Sequence, residues 1–188
     1  MKLGSKLAAA ALACALFAGC EREPSAPPPS PAEITTESTG YYCRMLLADH
    51  DGPKGQIHLS SRSEPVWFSS VRDTIAFTRI PGEPRDIAAI YVNDMAKAAS
   101  WDRPERGAWV DARQAWFVID SGKRGGMGAP EAVPFSDQPA AQAFAAAHGG
   151  RVVRLDDIPD AYVVGQVANP DAAPHGAAHD PAHGTTKK

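Results

Sequence analysis

Charge of one sign is not concentrated anywhere in this chain. Its 188 residues carry 22 acidic and 19 basic side chains, and no segment gathers Lys and Arg into a phosphate-reading stripe. A dedicated nucleic-acid binder is thereby excluded. Aromatic residues are scarce at 7%, which limits the chain to a modest core. No apolar run reaches the roughly 20 residues that a membrane-spanning helix needs. The Gly-x-Ser-x-Gly, His-Glu-x-x-His and phosphate-loop signatures of common enzymes are missing. Cysteine is the most telling shortage, with three in the whole chain.

Two of those three belong to the N-terminus. Lys2 and Lys6 flank the start of an apolar stretch over 7–19, the form of an export signal. It closes on Leu16-Phe17-Ala18-Gly19-Cys20, which looks like a bacterial lipobox. The small pair before the cysteine suits lipoprotein signal peptidase; an ordinary signal peptide with an incidental cysteine is the alternative. Residues 1–19 then leave, taking Cys14, and Cys20 becomes a lipidated N-terminus. Their removal leaves 17 basic against 22 acidic residues, a charge of −5. Residues 20–34 carry Pro24, Pro27, Pro28, Pro29 and Pro31, which favour extended chain and read as a disordered linker above a membrane. Glu21 is not the Asp associated with inner-membrane retention, which tilts the anchor toward the outer membrane. At the other end, residues 166–188 offer almost nothing to bury and read as a disordered tail. His175, His179 and His183 recur there every four residues, but Pro181 opposes a helix. A solvated tail and a loose metal collector are the two readings.

The folded part is expected over 35–165, enough for one globule or two half-sized units sharing a core. Strands are expected at 56–59, 87–92, 115–119 and 151–155 from β-branched and aromatic content. Helices are expected at 70–79 behind an N-cap at Ser69, and at 137–148 behind one at Ser136. The second carries Pro139 in its first turn and stops at Gly149-Gly150. The two helix starts echo each other at an offset of 67 residues: Glu64, Val66, Phe68, Ser69, Ala76 and Phe77 recur as Glu131, Val133, Phe135, Ser136, Ala143 and Phe144. A duplicated strand-then-helix unit predicts two α+β halves, about 35–100 and 101–165, with functional groups in the seam or on one half. Two unrelated capped helices are the alternative.

Cys43 is the one cysteine left for the folded part. A lone thiol makes no internal disulfide, and a buried cysteine acting as a small hydrophobe is the ordinary reading. Met45 weakens that reading, because residues i and i+2 of an extended chain share a face. A thiolate beside a thioether is a soft site, matched to Cu(I) far better than to hard cations. Zinc would want two further nitrogen or sulfur ligands close by. His50 and His58 are near enough in sequence to complete a coordination sphere, or are surface and hydrogen-bonded histidines. A thiol–imidazole enzyme pairing Cys43 with His58 or His148 is a further alternative, as is a metal-free lipoprotein adaptor. Trp67, Trp101, Trp109 and Trp116 read as core and seam residues rather than a docking patch.

Several separated motifs together resemble the NosL family, the lipoprotein accessory factors of nitrous oxide reductase. They are Gly40-Tyr41-Tyr42-Cys43-Arg44-Met45, Gly52-Pro53-Lys54-Gly55-Gln56-Ile57 and Pro65-Val66-Trp67-Phe68-Ser69-Ser70-Val71-Arg72-Asp73. Ile90-Tyr91-Val92-Asn93-Asp94-Met95, Trp109-Val110-Asp111-Ala112-Arg113, Gly125-Gly126-Met127-Gly128 and Val133-Pro134-Phe135 continue the match. Arg44 departs from it, since the family's Cys-Gly-Met motif has a small residue there. The resemblance implies an α+β fold of two similar ββα-type halves and a non-enzymatic, periplasm-facing copper chaperone. It implies delivery of Cu(I) toward the copper-sulfide centre of the reductase and docking on a membrane-associated Nos assembly complex. Cys43 and Met45 carry over as ligands. Met127, in a loop whose glycines permit close backbone approach, is the expected third, with Met95 as the alternative.

Lipidation is directly testable. Mature protein from a lipoprotein-processing host should carry an acyl mass on Cys20, and Cys20→Ala should stay uncleaved or leave the membrane fraction. Intact mass spectrometry showing an unmodified N-terminus on the membrane-fraction protein would exclude the lipobox.

Overall fold

Strand Gly55–Leu59 (β1) has an antiparallel partner on each side, Val66–Phe68 (β2) and Ile87–Asn93 (β3). Trp109–Asp111 (β4) extends this sheet beyond β3. A second sheet repeats the scheme, with Trp116–Ile119 (β5) between Val133–Phe135 (β6) and Arg151–Val153 (β7). These elements belong to a computed structural model that describes residues 27–104 and 108–165. Helix Val71–Phe77 (α1) follows β2, helix Gln138–His148 (α2) follows β6, and a short helix, Asp160–Val163 (α3), ends the described chain. Each half is therefore β–β–α–β, and the chain is α+β as expected. The expected signal peptide, Cys20 and the tail histidines lie outside the described residues.

The echo in the sequence holds to the residue. Val66, Phe68, Ser70 and Val71 match Val133, Phe135, Asp137 and Gln138 as strand ends, N-cap and first helical residue. The caps correct the expectation by one position. Ser70, with extended backbone, accepts from the N–H of Asp73, and Asp137 accepts from the N–H of Ala140. Ser69 is buried one residue too early to reach those donors, and the backbone N–H of Ser136 donates instead to Asp94. The halves differ in one hairpin. Phe68 pairs with Gly55 and Phe135 with Trp116, so the second hairpin is six residues longer. Those extra residues make room for Met127. Strand β4 was not anticipated; it lies in the sequence of the second half yet pairs with β3 of the first.

Alternation along β5 explains how the halves join. Phe117 and Ile119 enter a core shared with Ile57, Phe68, Ile75 and Phe77 of the first half, while Val118 faces Val133, Phe135 and Ala141 near α2. The second sheet is thus buried on both faces. Each fully buried Phe contributes on the order of 1.5–3 kcal/mol of transfer free energy. Gly55 lets α1 sit close to β1: a Cβ there would stand 2.0 Å from Thr74 Oγ1.

The linker departs from its expected freedom. Its extended backbone is held from Pro29 onward, where the carbonyl accepts from Tyr91 OH at 2.8 Å. Ala32 exchanges two hydrogen bonds with the buried Gln56 side chain, N–H to Oε1 at 2.8 Å and Nε2 to carbonyl at 2.9 Å. His58 donates through Nε2 to the same Oε1 at 2.8 Å. Prolines supply no donors, so the segment is fastened by a side chain rather than by a ladder. Replacing Gln56 by Ala should cost about 1–3 kcal/mol in urea unfolding. It should also open residues 27–34 to limited proteolysis; unchanged cleavage would mean the strap is not held this way.

Candidate metal centre

Residues 40–45 form a tight turn, not a strand. The N–H of Arg44 donates to the carbonyl of Gly40, and the N–H of Gly40 to the carbonyl of Met45, both at 2.9 Å. Arg44 takes a left-handed backbone, φ 59°, which a β-carbon disfavours by about 1–2 kcal/mol. That is why a small residue suits the position. The extended-chain reason for pairing Cys43 with Met45 therefore fails. The turn sets the thiol back over Gly40, where a Cβ would lie 2.5 Å from Sγ, and leaves Met45 on the surface. Tyr41 anchors the turn, its N–H donating to the carbonyl of Trp67 at 2.7 Å. The Tyr41 and Tyr42 hydroxyls both donate to Glu83, at 3.2 and 3.0 Å.

The half-buried thiol faces a histidine. Cys43 Sγ lies 3.9 Å from His50 Nε2, and His50 Nδ1 lies 2.9 Å from the carbonyl of Gly126. A carbonyl only accepts, so Nδ1 carries the proton and Nε2 presents its lone pair to sulfur. The other side of His50 is braced by Lys54, whose ammonium donates to the carbonyls of His50 at 2.6 Å and Gly52 at 2.5 Å. Burial pushes the Lys54 amine down to about 8. Gly126 belongs to the long second hairpin and must be glycine. A Cβ there would stand 2.6 Å from His50 Cβ and 2.8 Å from the carbonyl oxygen of Ser69. The backbone closeness anticipated from the glycine doublet is thus present, and Met127 follows directly, 49% exposed.

Cys43 and His50 are in contact at this seam; Met45 lies on the same turn as the thiol, and Met127 follows the glycine whose carbonyl orients the ring, both methionines with exposed side chains. Metal–sulfur and metal–nitrogen bonds of roughly 2.3 and 2.0 Å sum to more than the gap between Sγ and Nε2, so an ion fits between them. Among the described residues no three His, Cys, Asp or Glu side chains converge on a metal-sized space, which disfavours a closed zinc site. The alternatives in the sequence go elsewhere. Met95 packs in the cluster of Val133 and Phe135. His58 is buried under the linker, and its pKa is lowered by desolvation. His148 packs at a tilt against Phe144, ring centroids 4.5 Å apart. Trp101 on Phe144 and Trp116 beneath Arg154 pack against the smaller core cluster as expected, whereas Trp67 and Trp109 pair with each other outside both core clusters.

The family profile for NosL matches residues 31–163. The copper-binding lipoprotein NosL of Achromobacter cycloclastes is 49% identical over 155 residues, spanning 82% of this chain and 80% of that protein. Its namesake from Stutzerimonas stutzeri is 30% identical over 180 residues, spanning 95% and 90%. The crystal structure of the copper chaperone NosL from Shewanella denitrificans aligns with a TM-score of 0.68 at 32% identity, over 72% of this chain and 99% of that one.

Relieving the left-handed strain gives a clean test of the turn. Arg44→Gly should raise stability by roughly 1 kcal/mol, the left-handed penalty less the glycine's extra chain entropy. A melting temperature that falls would mean that the Arg44 side chain contributes more than its backbone costs.

Proposed function

The chain belongs to the NosL family, and we propose that it is a lipid-anchored, periplasm-facing chaperone that binds Cu(I) and delivers it for the copper-sulfide centre of nitrous oxide reductase. The observation that carries this reading is the thiol of Cys43 held against the unprotonated nitrogen of His50. Displacing the thiol proton converts that contact into an anionic sulfur and an imidazole facing one point. Met45 and Met127 add thioethers from either side of the seam. Such a set favours Cu(I) over Cu(II), which prefers tetragonal nitrogen and oxygen sites. The relatives are named as copper-binding lipoproteins and a copper chaperone, not as enzymes.

Delivery asks that copper be held tightly yet passed on by ligand exchange. Cys43 is half-buried, whereas Met45 and Met127 are 42% and 49% exposed. An incoming donor therefore meets the thioethers first and can replace them while the thiolate keeps the ion. The recipient in this reading is the membrane-associated Nos assembly complex. A lipid on Cys20 would tether the chaperone to a membrane on its periplasmic side.

Anaerobic competition against a Cu(I) chelator tests the site. One tight Cu(I) per monomer is expected. Cys43→Ser should cost more than the roughly 10–100-fold that losing a mere supporting residue costs. Met45→Ala, Met127→Ala and His50→Ala should each cost less than that, and Met95→Ala should cost least. Affinity should fall with pH on the acid side, as protons compete for sulfur. Equal affinities for wild type and Cys43→Ser would end the proposal.

A further inference from the structure

Glu131 has no part in the copper reading above, and its placement is costly. Its side chain is fully buried. Oε1 accepts from the N–H of Arg72 at 2.9 Å and of Ala132 at 2.8 Å. Among the described residues Oε2 has no hydrogen-bond partner. It is pressed instead against Gly125, where a Cβ would stand 2.1 Å away. Gly125 opens the turn that carries Met127: its N–H donates to Ala129 at 2.9 Å, and its carbonyl accepts from Gly128 at 2.8 Å. The carboxyl is therefore the floor on which this turn sits, and Gly126, the next residue, orients His50.

The fold itself does not ask for an acid here. Glu64 occupies the matching place in the first half, ahead of β2, and is exposed. Only the copy with the long hairpin takes the carboxyl inside. Desolvation keeps it protonated, pushing its pKa up to about 8 against the pull of the backbone N–H groups of Arg72, Ala132 and Val71. The groups around it are Asp73 and Arg72 of α1, Tyr162 of α3, and Lys54 before β1. Asp73 repels a carboxylate and Lys54 attracts one. The Arg72 guanidinium is turned to the carbonyl of Tyr162 at 2.8 Å, and the Tyr162 hydroxyl donates to the backbone carbonyl of Glu131 at 2.9 Å. Lys54 is already bound to the carbonyls of His50 and Gly52. A bare carboxylate oxygen against the Gly125 backbone would have water as its remedy, and water can enter only if the turn lifts.

We propose that Glu131 is the positioning residue of the copper loop: as a neutral acid it seats the Gly125 turn, holding the Gly126 carbonyl and Met127 at the seam, and as a carboxylate it unseats them. Its effect on copper rests on the proposed Cu(I) site, whereas its effect on the loop needs no metal. Ionisation sends the proton to solvent, and the loop-seated fraction falls as pH rises through the carboxyl's pKa.

The mature lipidated chain in detergent micelles, metal-free and labelled at the methionine methyls, gives the first readout. After processing, Met45, Met95 and Met127 are the methionines that remain. The Met127 methyl resonance should shift with a midpoint near 8, the Met95 resonance should not, and Glu131→Gln should abolish the transition. Gly125→Ala, which forces the turn off Oε2, should displace the Met127 resonance at every pH, and serves if Glu131→Gln does not fold. The second readout is the ratio of wild-type to Glu131→Gln Cu(I) affinity, in which thiol proton competition cancels. It should drop about tenfold between pH 7 and pH 9, because one unit above the midpoint only about one molecule in eleven keeps the loop seated. A Met127 resonance that does not titrate, or titrates alike in Glu131→Gln, overturns the proposal; so does an unmoved resonance in Gly125→Ala. A titrating resonance in a protein without tight Cu(I) binding would sink the copper site and leave the latch standing.

Discussion

The hydrogen bond from His50 Nδ1 to the carbonyl of Gly126 spans 76 residues and joins the two halves at the site. Without it the imidazole could carry its proton on either nitrogen, and half of its tautomers would turn an N–H toward Cys43. With it, the lone pair points at sulfur. The bond exists only because Gly126 has no side chain to collide with His50 and Ser69. The first half thus supplies thiol and ring and the second the carbonyl that orients the ring, so neither half alone forms this contact.

A repeated hairpin–helix–strand unit forms the frame, and the two copies differ at the candidate site. Both halves place a hairpin, a capped helix and a third strand in the same order, with strands paired the same way. Symmetry is broken where function gathers. The first half gains the turn of residues 40–45 ahead of its hairpin, and the second gains six residues within its own. The shared core, to which Phe117 and Ile119 contribute from the second sheet, keeps these two irregular segments in register.

What could be read from the sequence was whatever short-range pattern encodes. Caps, helix starts and the 67-residue echo follow from local hydrogen bonding and alternation, and they missed by a single position because Ser69-Ser70 and Ser136-Asp137 each offer two capping side chains in a row. The glycines around Met127 announced close backbone contact for the same local reason. Three-residue β4 carried too little pattern to be seen. His50 was visible only as a candidate, since a lone histidine says nothing of a partner 76 residues away. Glu131 was misleading in a more instructive way. It shares its motif with Glu64, and the matched glutamate lies on the surface in one half and at 0% exposure in the other, because the longer hairpin covers it. The linker shows the converse error: its prolines dictate extended backbone, but Gln56, whose role no neighbouring residue betrays, decides that the chain is fastened.

Arg44 draws these strands together. Its left-handed backbone is the hinge that folds Cys43 back over Gly40 and turns Met45 outward, so the geometry of the soft donors depends on one unfavourable torsion. The residue pays for that torsion with chain energy that glycine would not spend, and its exposed side chain gains nothing from burial in return.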